Sequence, residues 1–274
     1  MCRDKMSKDT YFVKLGGSVI TDIGNEGIAR KDEIKRLLSE VMAAKSDKGF
    51  NLILGHGSGS FAHVPASRYK TKEGLVDDSS LLGASITELA ATNLTKIIFS
   101  IGTGIGAPLF PFSPASFSMG NDGALYSGFT ANIEHAMQKG FIPLVYGDVV
   151  IDKRRGCTIA STEEVFRFLS TKIKPSMVVL GTDVDGVFDS NPKDNKAAKL
   201  IPKINAQNYG SVMAGSGASK KIDVTGGMGT KLSKLYEITK RTSSEGCILN
   251  ASLPGVLGAV LHGNHDVKCT RILP

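Results

Sequence analysis

Two hydrophobic patterns alternate along this chain. Short, nearly unbroken apolar runs occur at Tyr11–Leu15, Asn51–Gly55, Phe141–Tyr146, Ser176–Gly181, Gly246–Asn250 and Lys268–Ile272. Such runs suit strands covered on both faces. Between them lie stretches with a helical period. In 31–45, KDEIKRLLSEVMAAK, the residues Ile34, Leu37, Leu38, Val41 and Met42 share one face, and 80–99, 122–139, 162–172 and 229–242 read the same way. Alternating strands and helices predict an α/β fold, with helices on both faces of a mainly parallel sheet. The stretches 65–79 and 189–197, with their Pro, Asn, Asp and Lys, read as surface loops.

Ligands of such sheets bind beyond the carboxyl ends of the strands. Glycine-rich clusters follow four of the strand candidates directly: KLGGS, GHGSGS, YGD and GTDVDG. They are expected to meet along one sheet edge. Lys14 sits in a buried strand just before Gly16 and Gly17, where an ammonium is costly unless it meets an anion. The N–H groups of Gly16, Gly17 and Ser18 suit a phosphate, and a tight turn with a snorkelling lysine is the structural alternative. In Gly55–His63 the glycines 55, 57 and 59 permit close approach of a ligand, Ser58 and Ser60 add donors, and His63 closes the segment. A neutral histidine there is a base and a charged one a donor to phosphate. Thr225–Lys231, TGGMGTK, opens a helix, so its glycines and Lys231 make an anion site at a helix N-terminus. Asp183 and Asp185 suit ribose or magnesium, or a plain Asp-rich turn.

Several familiar readings are excluded. G-x-x-x-x-G-K-[ST] does not occur, so phosphate chemistry here is of a non-P-loop kind. Gly102-Thr-Gly-Ile-Gly-Ala107 imitates a dinucleotide fingerprint, but PLFPFSP follows it and cannot start the required helix. G-x-S-x-G is not matched at Ser58 or Ser60.

At 274 residues, 41% hydrophobic and 22% charged, the chain can bury a substantial core. Its net charge of +7 is spread without a Lys/Arg block, which favours a polyanionic small substrate over nucleic acid. Cysteines at 2, 157, 247 and 269 lack metal-ligand spacing and read as reduced thiols of a cytoplasmic protein. No apolar stretch reaches membrane-spanning length, and the first residues lack the apolar region of a signal peptide.

In order and spacing, KLGGSVITD (14–22), HGSGSFAH (56–63), PLVYGDVV (143–150), LGTDVDGVFDSNPK (180–193), DVTGGMGTK (223–231), NASLPG (250–255) and TRI (270–272) resemble the amino acid kinase family. The resemblance implies a three-layer α/β/α sandwich in one compact two-lobed domain. Residues 1–172 would form the lobe binding the acceptor phosphate, and 173–274 the lobe binding ATP. The implied activity is ATP- and Mg²⁺-dependent phosphorylation of a phosphate, isopentenyl phosphate to its diphosphate. Another small phosphate or a phosphonate such as fosfomycin is the alternative acceptor, and a weakened nucleotide sensor the non-catalytic alternative. A homodimer is implied, with no nucleic-acid or membrane partner. Residue by residue, the resemblance implies that Lys14, His63 and Lys231 act in catalysis. Gly57, Ser58, His63 and Ser161 would hold the acceptor. Lys14, Gly16, Gly17, Ser18, Gly59, Asp183, Asp185, Gly227 and Lys231 would hold ATP, and no protein metal ligand is implied. Two departures stand out. Ile23 occupies the place of a second family lysine, for which Arg30 or Lys31 would have to compensate. Ile159-Ala-Ser-Thr162 replaces the family's I-S-G-D, which leaves the support of Lys14 open.

Overall fold

The computed structural model describes residues 9–192, 194–214 and 227–274; of the motifs above, Lys193 and residues 223–226 lie outside that set. Its first half runs β1 (Thr10–Leu15), α1 (Gly17–Ile20), α2 (Lys31–Lys48), β2 (Asn51–His56), α3 (Gly59–Arg68), α4 (Ser80–Gly104), β3 (Leu109–Pro111), α5 (Pro114–Phe117), β4 (Ser118–Asn121), β5 (Ala124–Gly128) and α6 (Ala131–Gln138). There follow β6 (Ile142–Tyr146), β7 (Asp148–Asp152), β8 (Gly156–Ala160), α7 (Thr162–Leu169), β9 (Met177–Thr182), β10 (Lys203–Ile204), α8 (Tyr209–Ala214), α9 (Met228–Thr242), β11 (Glu245–Asn250), α10 (Val256–Leu261) and β12 (Cys269–Ile272).

One eight-stranded sheet, in the order β10-β12-β11-β9-β1-β2-β6-β3, spans the molecule, and only the β11–β12 pair is antiparallel. Each central strand feeds two cores, because successive side chains point to opposite faces. Val13, Leu15, Leu52, Leu54 and Val179 pack with Ile34, Leu37 and Leu38 of α2 and with Leu257 and Val260 of α10. Phe12, Ile53, Val178 and Leu180 pack on the other face with Val165 and Phe166 of α7 and with Leu232 and Leu235 of α9. The expected α/β/α sandwich is thus present. Helix α2 illustrates the local logic. Asp32 and Glu33 stand in its first turn, Lys45 and Lys48 in its last, and Gly49 ends it in the left-handed conformation at φ +74.

Two readings of the sequence need correction. The helical stretch 122–139 is a helix only at α6; its first part is β5, hairpinned to β4 through Asp122 (φ +53) and Gly123 (φ +85). An Asp-Gly pair with both φ positive is the two-residue turn that matches strand twist. Asp152 secures this hairpin and the β7–β8 turn together, accepting the N–H groups of Asp122, Gly123, Arg154 and Arg155 at 2.8–3.0 Å. The strands β5-β4-β7-β8 form a second, four-stranded sheet. The other correction is α3, which begins inside the glycine segment at Gly59 and takes residues 65–68 out of the supposed loop.

The carboxyl ends of β1, β2, β6 and β9 open on one edge, as the glycine clusters predict, and the false dinucleotide fingerprint lies where α4 ends. Among the described residues no helix is long and apolar enough to cross a membrane.

Candidate active site

Strand β1 delivers Lys14 to the sheet edge with only 7% of its surface exposed. A buried ammonium needs a counter-charge, and Glu163 in the first turn of α7 supplies it, Oε1 lying 2.6 Å from Lys14 Nζ. Burial pushes the Glu163 carboxyl up, but Lys14 and Lys231 outweigh that and hold it below the ordinary glutamate range. Glu163 therefore answers the open question about Lys14. Sequence reading missed it, although paired acids opening a helix after a strand are a visible signal.

The two glycine turns cross in contact. A Cβ on Gly17 would stand 2.4 Å from the Gly59 nitrogen, and one on Gly57 2.8 Å from the Gly17 nitrogen. Bare backbone here serves the packing of two turns as much as the approach of a ligand. Side chains then tie the turns together. Ser18 Oγ donates to Asp183 at 3.1 Å, Ser58 Oγ to the Gly147 carbonyl at 3.0 Å, and Thr21 Oγ1 to the Gly17 carbonyl at 2.7 Å. Ser161 caps α7, accepting the Glu164 N–H at 3.2 Å.

Together these elements enclose a cleft of about 630 Å³. Four helices, α1, α3, α7 and α9, present residues of their first turns to it, among them Ser18, Gly59, Glu163 and Lys231. Helix N-termini carry partial positive charge and free N–H groups, so their convergence favours phosphates. His63, in the second turn of α3, also faces the cleft. Its pKa lies below the ordinary histidine value, first because the cleft walls desolvate it and then because Lys14 and Lys231 repel a proton, with Glu163 opposing. Gly227 adopts φ +29, and a Cβ there would stand 3.0 Å from Lys231 Nζ, so glycine leaves room for that ammonium.

Small and apolar side chains also line the cleft: Ala62 and Ala66 of α3, Ala91 of α4, Val149 and Ile159. Thr87, Lys72 and Asp148 line it as well. Burial, and after it the neighbouring Glu88 carboxyl, push Asp148 up to about 8, while Ser113 and the Ala115 N–H hold one of its oxygens at 2.9 and 3.0 Å.

Lys14, Gly16, Gly17, Ser18, Gly57, Ser58, Gly59, His63, Ser161, Asp183, Gly227 and Lys231 all line this cleft. Asp185 does not: it accepts from Asn250 at 3.1 Å and pairs with Lys268 at 2.6 Å, fixing the 183–187 turn to β11 and the chain entering β12. Ile23 is 65% exposed and outside the lining, and so are the exposed Arg30 and Lys31. Lys72 is the further ammonium that the described cleft contains.

Residues 9–250 match the model of the amino acid kinase family. Over 268 residues the chain is 31% identical to isopentenyl phosphate kinase of Methanothermobacter thermautotrophicus, covering 95% of this chain and 98% of that one. It is 32% identical over 222 residues to isopentenyl phosphate kinase of Arabidopsis thaliana, covering 76% and 67%. An X-ray structure of an isopentenyl phosphate kinase superposes with a TM-score of 0.82 at 30% identity, covering 96% of this chain and 99% of that one.

Proposed function

The chain belongs to the amino acid kinase family, and from that premise we propose that it moves the γ-phosphoryl group of ATP onto isopentenyl phosphate, giving isopentenyl diphosphate and ADP. The observation that carries this reading is the cleft where Lys14, His63 and Lys231 meet four helix N-termini, with small apolar side chains in the same lining. Phosphoryl transfer asks mainly for alignment and for neutralisation of spread charge. A phosphate oxygen of the acceptor attacks the γ-phosphorus while the bond to the β–γ bridging oxygen breaks and ADP leaves with its electrons. His63 donates an N–H to a non-reacting acceptor oxygen, holding the acceptor in line. Lys14, fixed by Glu163, and Lys231 face the equatorial oxygens, where charge grows in the transition state. Gly57 and Ser58 border the acceptor phosphate, with Ser161 on the opposite wall. Gly16, Gly17, Ser18, Gly59, Asp183 and Gly227 border the nucleotide phosphates.

The donor set also suits Mg²⁺ carried on ATP. Among the described residues no group of three or more His, Cys, Asp or Glu forms a metal site. Magnesium is ordinarily held by substrate phosphates and one or two carboxylates, and Asp183 is the carboxylate beside Ser18. When bound, the ion adds charge neutralisation at the transferring group.

The apolar side chains in the lining favour a hydrocarbon tail over the compact, polar fosfomycin. The intact set of Lys14, His63 and Lys231 favours an enzyme over a nucleotide sensor. We extend the reading to two lobes of one domain, the acceptor within 1–172 and ATP held mostly by 173–274. A homodimer in the cytoplasm completes it. Exposed Phe110 and Phe141, in edge-on contact beside the edge strand β3, offer the dimer an apolar surface. Incubating the purified protein with Mg-ATP and a panel of isopentenyl phosphate, fosfomycin and other small phosphates tests the function. Isopentenyl phosphate is expected to give the highest kcat/KM, and a higher value for fosfomycin would replace this reading.

A further inference from the structure

The first turn of α7 carries two adjacent acids that reach in different directions. Glu163 holds Lys14 of β1 at 2.6 Å. Glu164, only 4% exposed, holds Lys234 of α9, Oε2 lying 2.7 Å from Nζ. The Glu164 carboxylate also accepts from Arg167 at 2.6 and 2.9 Å and from the Leu125 N–H of β5 at 2.8 Å. Arg167 in turn donates to the Leu125 carbonyl at 2.7 Å. Burial pushes the Glu164 carboxyl up, and Arg167 and Lys234 outweigh it, so the group stays ionised. Lys234 stands three residues after Lys231, close to one turn along α9 and on the same side of the helix.

Resting on the kinase reading above, we propose that Glu164 is a positioning residue: through Lys234 it fixes where α9, and therefore Lys231, stands relative to Glu163 and Lys14. One turn of helix would thus register Lys14 and Lys231, one through each acid. A buried carboxylate with this many donors is a poor route to stability, because its desolvation offsets most of the attraction. It is a good route to a fixed geometry, and transfer chemistry is sensitive to misplacement on the scale of 1 Å. Further along the α7–α9 seam, Arg167 pairs with Glu237 at 3.5 Å, and Arg241 donates to the Arg167 carbonyl at 3.2 Å and to the Ser170 hydroxyl at 3.5 Å.

Lys234→Met removes the ammonium, keeps the stem and spares the buried acid. On whichever acceptor the wild type phosphorylates, kcat is expected to fall roughly 5- to 30-fold, with KM for ATP and acceptor changed less than about twofold. The thermal midpoint should move little, and Lys234→Arg should restore most of the rate. Glu164→Gln should lose kcat by a similar factor. The double variant should be no slower than Glu164→Gln alone, because both changes cut one contact. Wild-type kcat in Lys234→Met overturns the proposal. So do rate losses that multiply in the double variant, or a loss that follows the thermal midpoint and is not restored by arginine. A wild type inactive on isopentenyl phosphate but active on another acceptor would count against the substrate reading alone.

Discussion

His56 and His63 sit seven residues apart in one glycine segment, yet their surroundings give them different work. His56 ends β2 fully buried, Nδ1 3.2 Å from the Gly57 carbonyl and Nε2 3.0 Å from the Thr95 hydroxyl, while His63 faces the cleft. Burial, chiefly, lowers the His56 pKa from 6.5 to about 4. On acidification the unfolded chain takes up that proton first. The His56 contribution is therefore complete above pH 6.5 and is lost as pH falls toward 4, roughly 3 kcal/mol across the window. His63, also lowered, acts in the same direction. Urea unfolding at pH 7.5 and 4.5 checks this: His56→Gln should lose less stability on acidification than the wild type, and equal losses would exclude His56 as the source. Position 23 lies away from the cleft lining. A side chain 65% exposed and outside the cleft lining delivers a screened charge, worth about 0.2–1 kcal/mol. Steady-state kinetics of Ile23→Lys should therefore show kcat raised less than about fivefold, and a larger gain would place that position at the transferring group.

At the scale of elements, α7 ties Lys14 of β1 and Lys234 of α9 to the frame. Its Glu163 compensates Lys14 inside the protein, so Glu163→Gln leaves an uncompensated ammonium at the sheet edge. Breaking such a pair should cost the ligand-free protein about 3 kcal/mol, toward the low end for buried pairs because the cleft admits water. Mg-ATP should return part of that stability by offering Lys14 a phosphate. Urea melts with and without nucleotide measure both effects, and an unchanged midpoint in Glu163→Gln would show the pair to be dispensable. The central strands and long helices were legible in sequence because both-face burial leaves unbroken apolar runs and amphipathic helices keep their period. The small sheet was not. Its strands are short and half-polar, and in 122–139 the helical pattern of α6 masked the Asp122-Gly123 turn that marks the β4–β5 hairpin. Helix α3 was hidden by Gly59 at its start and Pro65 within it. The cleft residues were legible because glycine clusters at strand ends can converge only on one sheet edge. Asp185 looked like its neighbour Asp183, and only the partners Asn250 and Lys268 tell them apart. Glu163 and Glu164 show in sequence as paired acids opening a helix, but the lysines they hold do not, because Lys14 and Lys234 lie far away in the chain.

Across the whole molecule, one sheet runs unbroken, with β1 paired directly to both β2 and β9. The turns after β2 and β9 therefore flank Lys14 on adjacent strands; under the proposed function they serve the acceptor and the nucleotide, and the reacting groups meet without a covalent intermediate on the protein. Under the proposed function, His63 holds the acceptor phosphate in this arrangement. Its N–H bond to a charged phosphate should supply roughly 2–3 kcal/mol, about 30- to 150-fold in rate. The most direct measurement follows isopentenyl phosphate and Mg-ATP by phosphorus NMR, with wild-type protein beside His63→Gln. The wild type should convert the monophosphate signal into two coupled diphosphate signals as ADP appears in equal amount, and His63→Gln should do so at least about 30-fold more slowly while still binding ATP. An unchanged monophosphate signal with the wild type, or equal rates in the two proteins, would contradict the account.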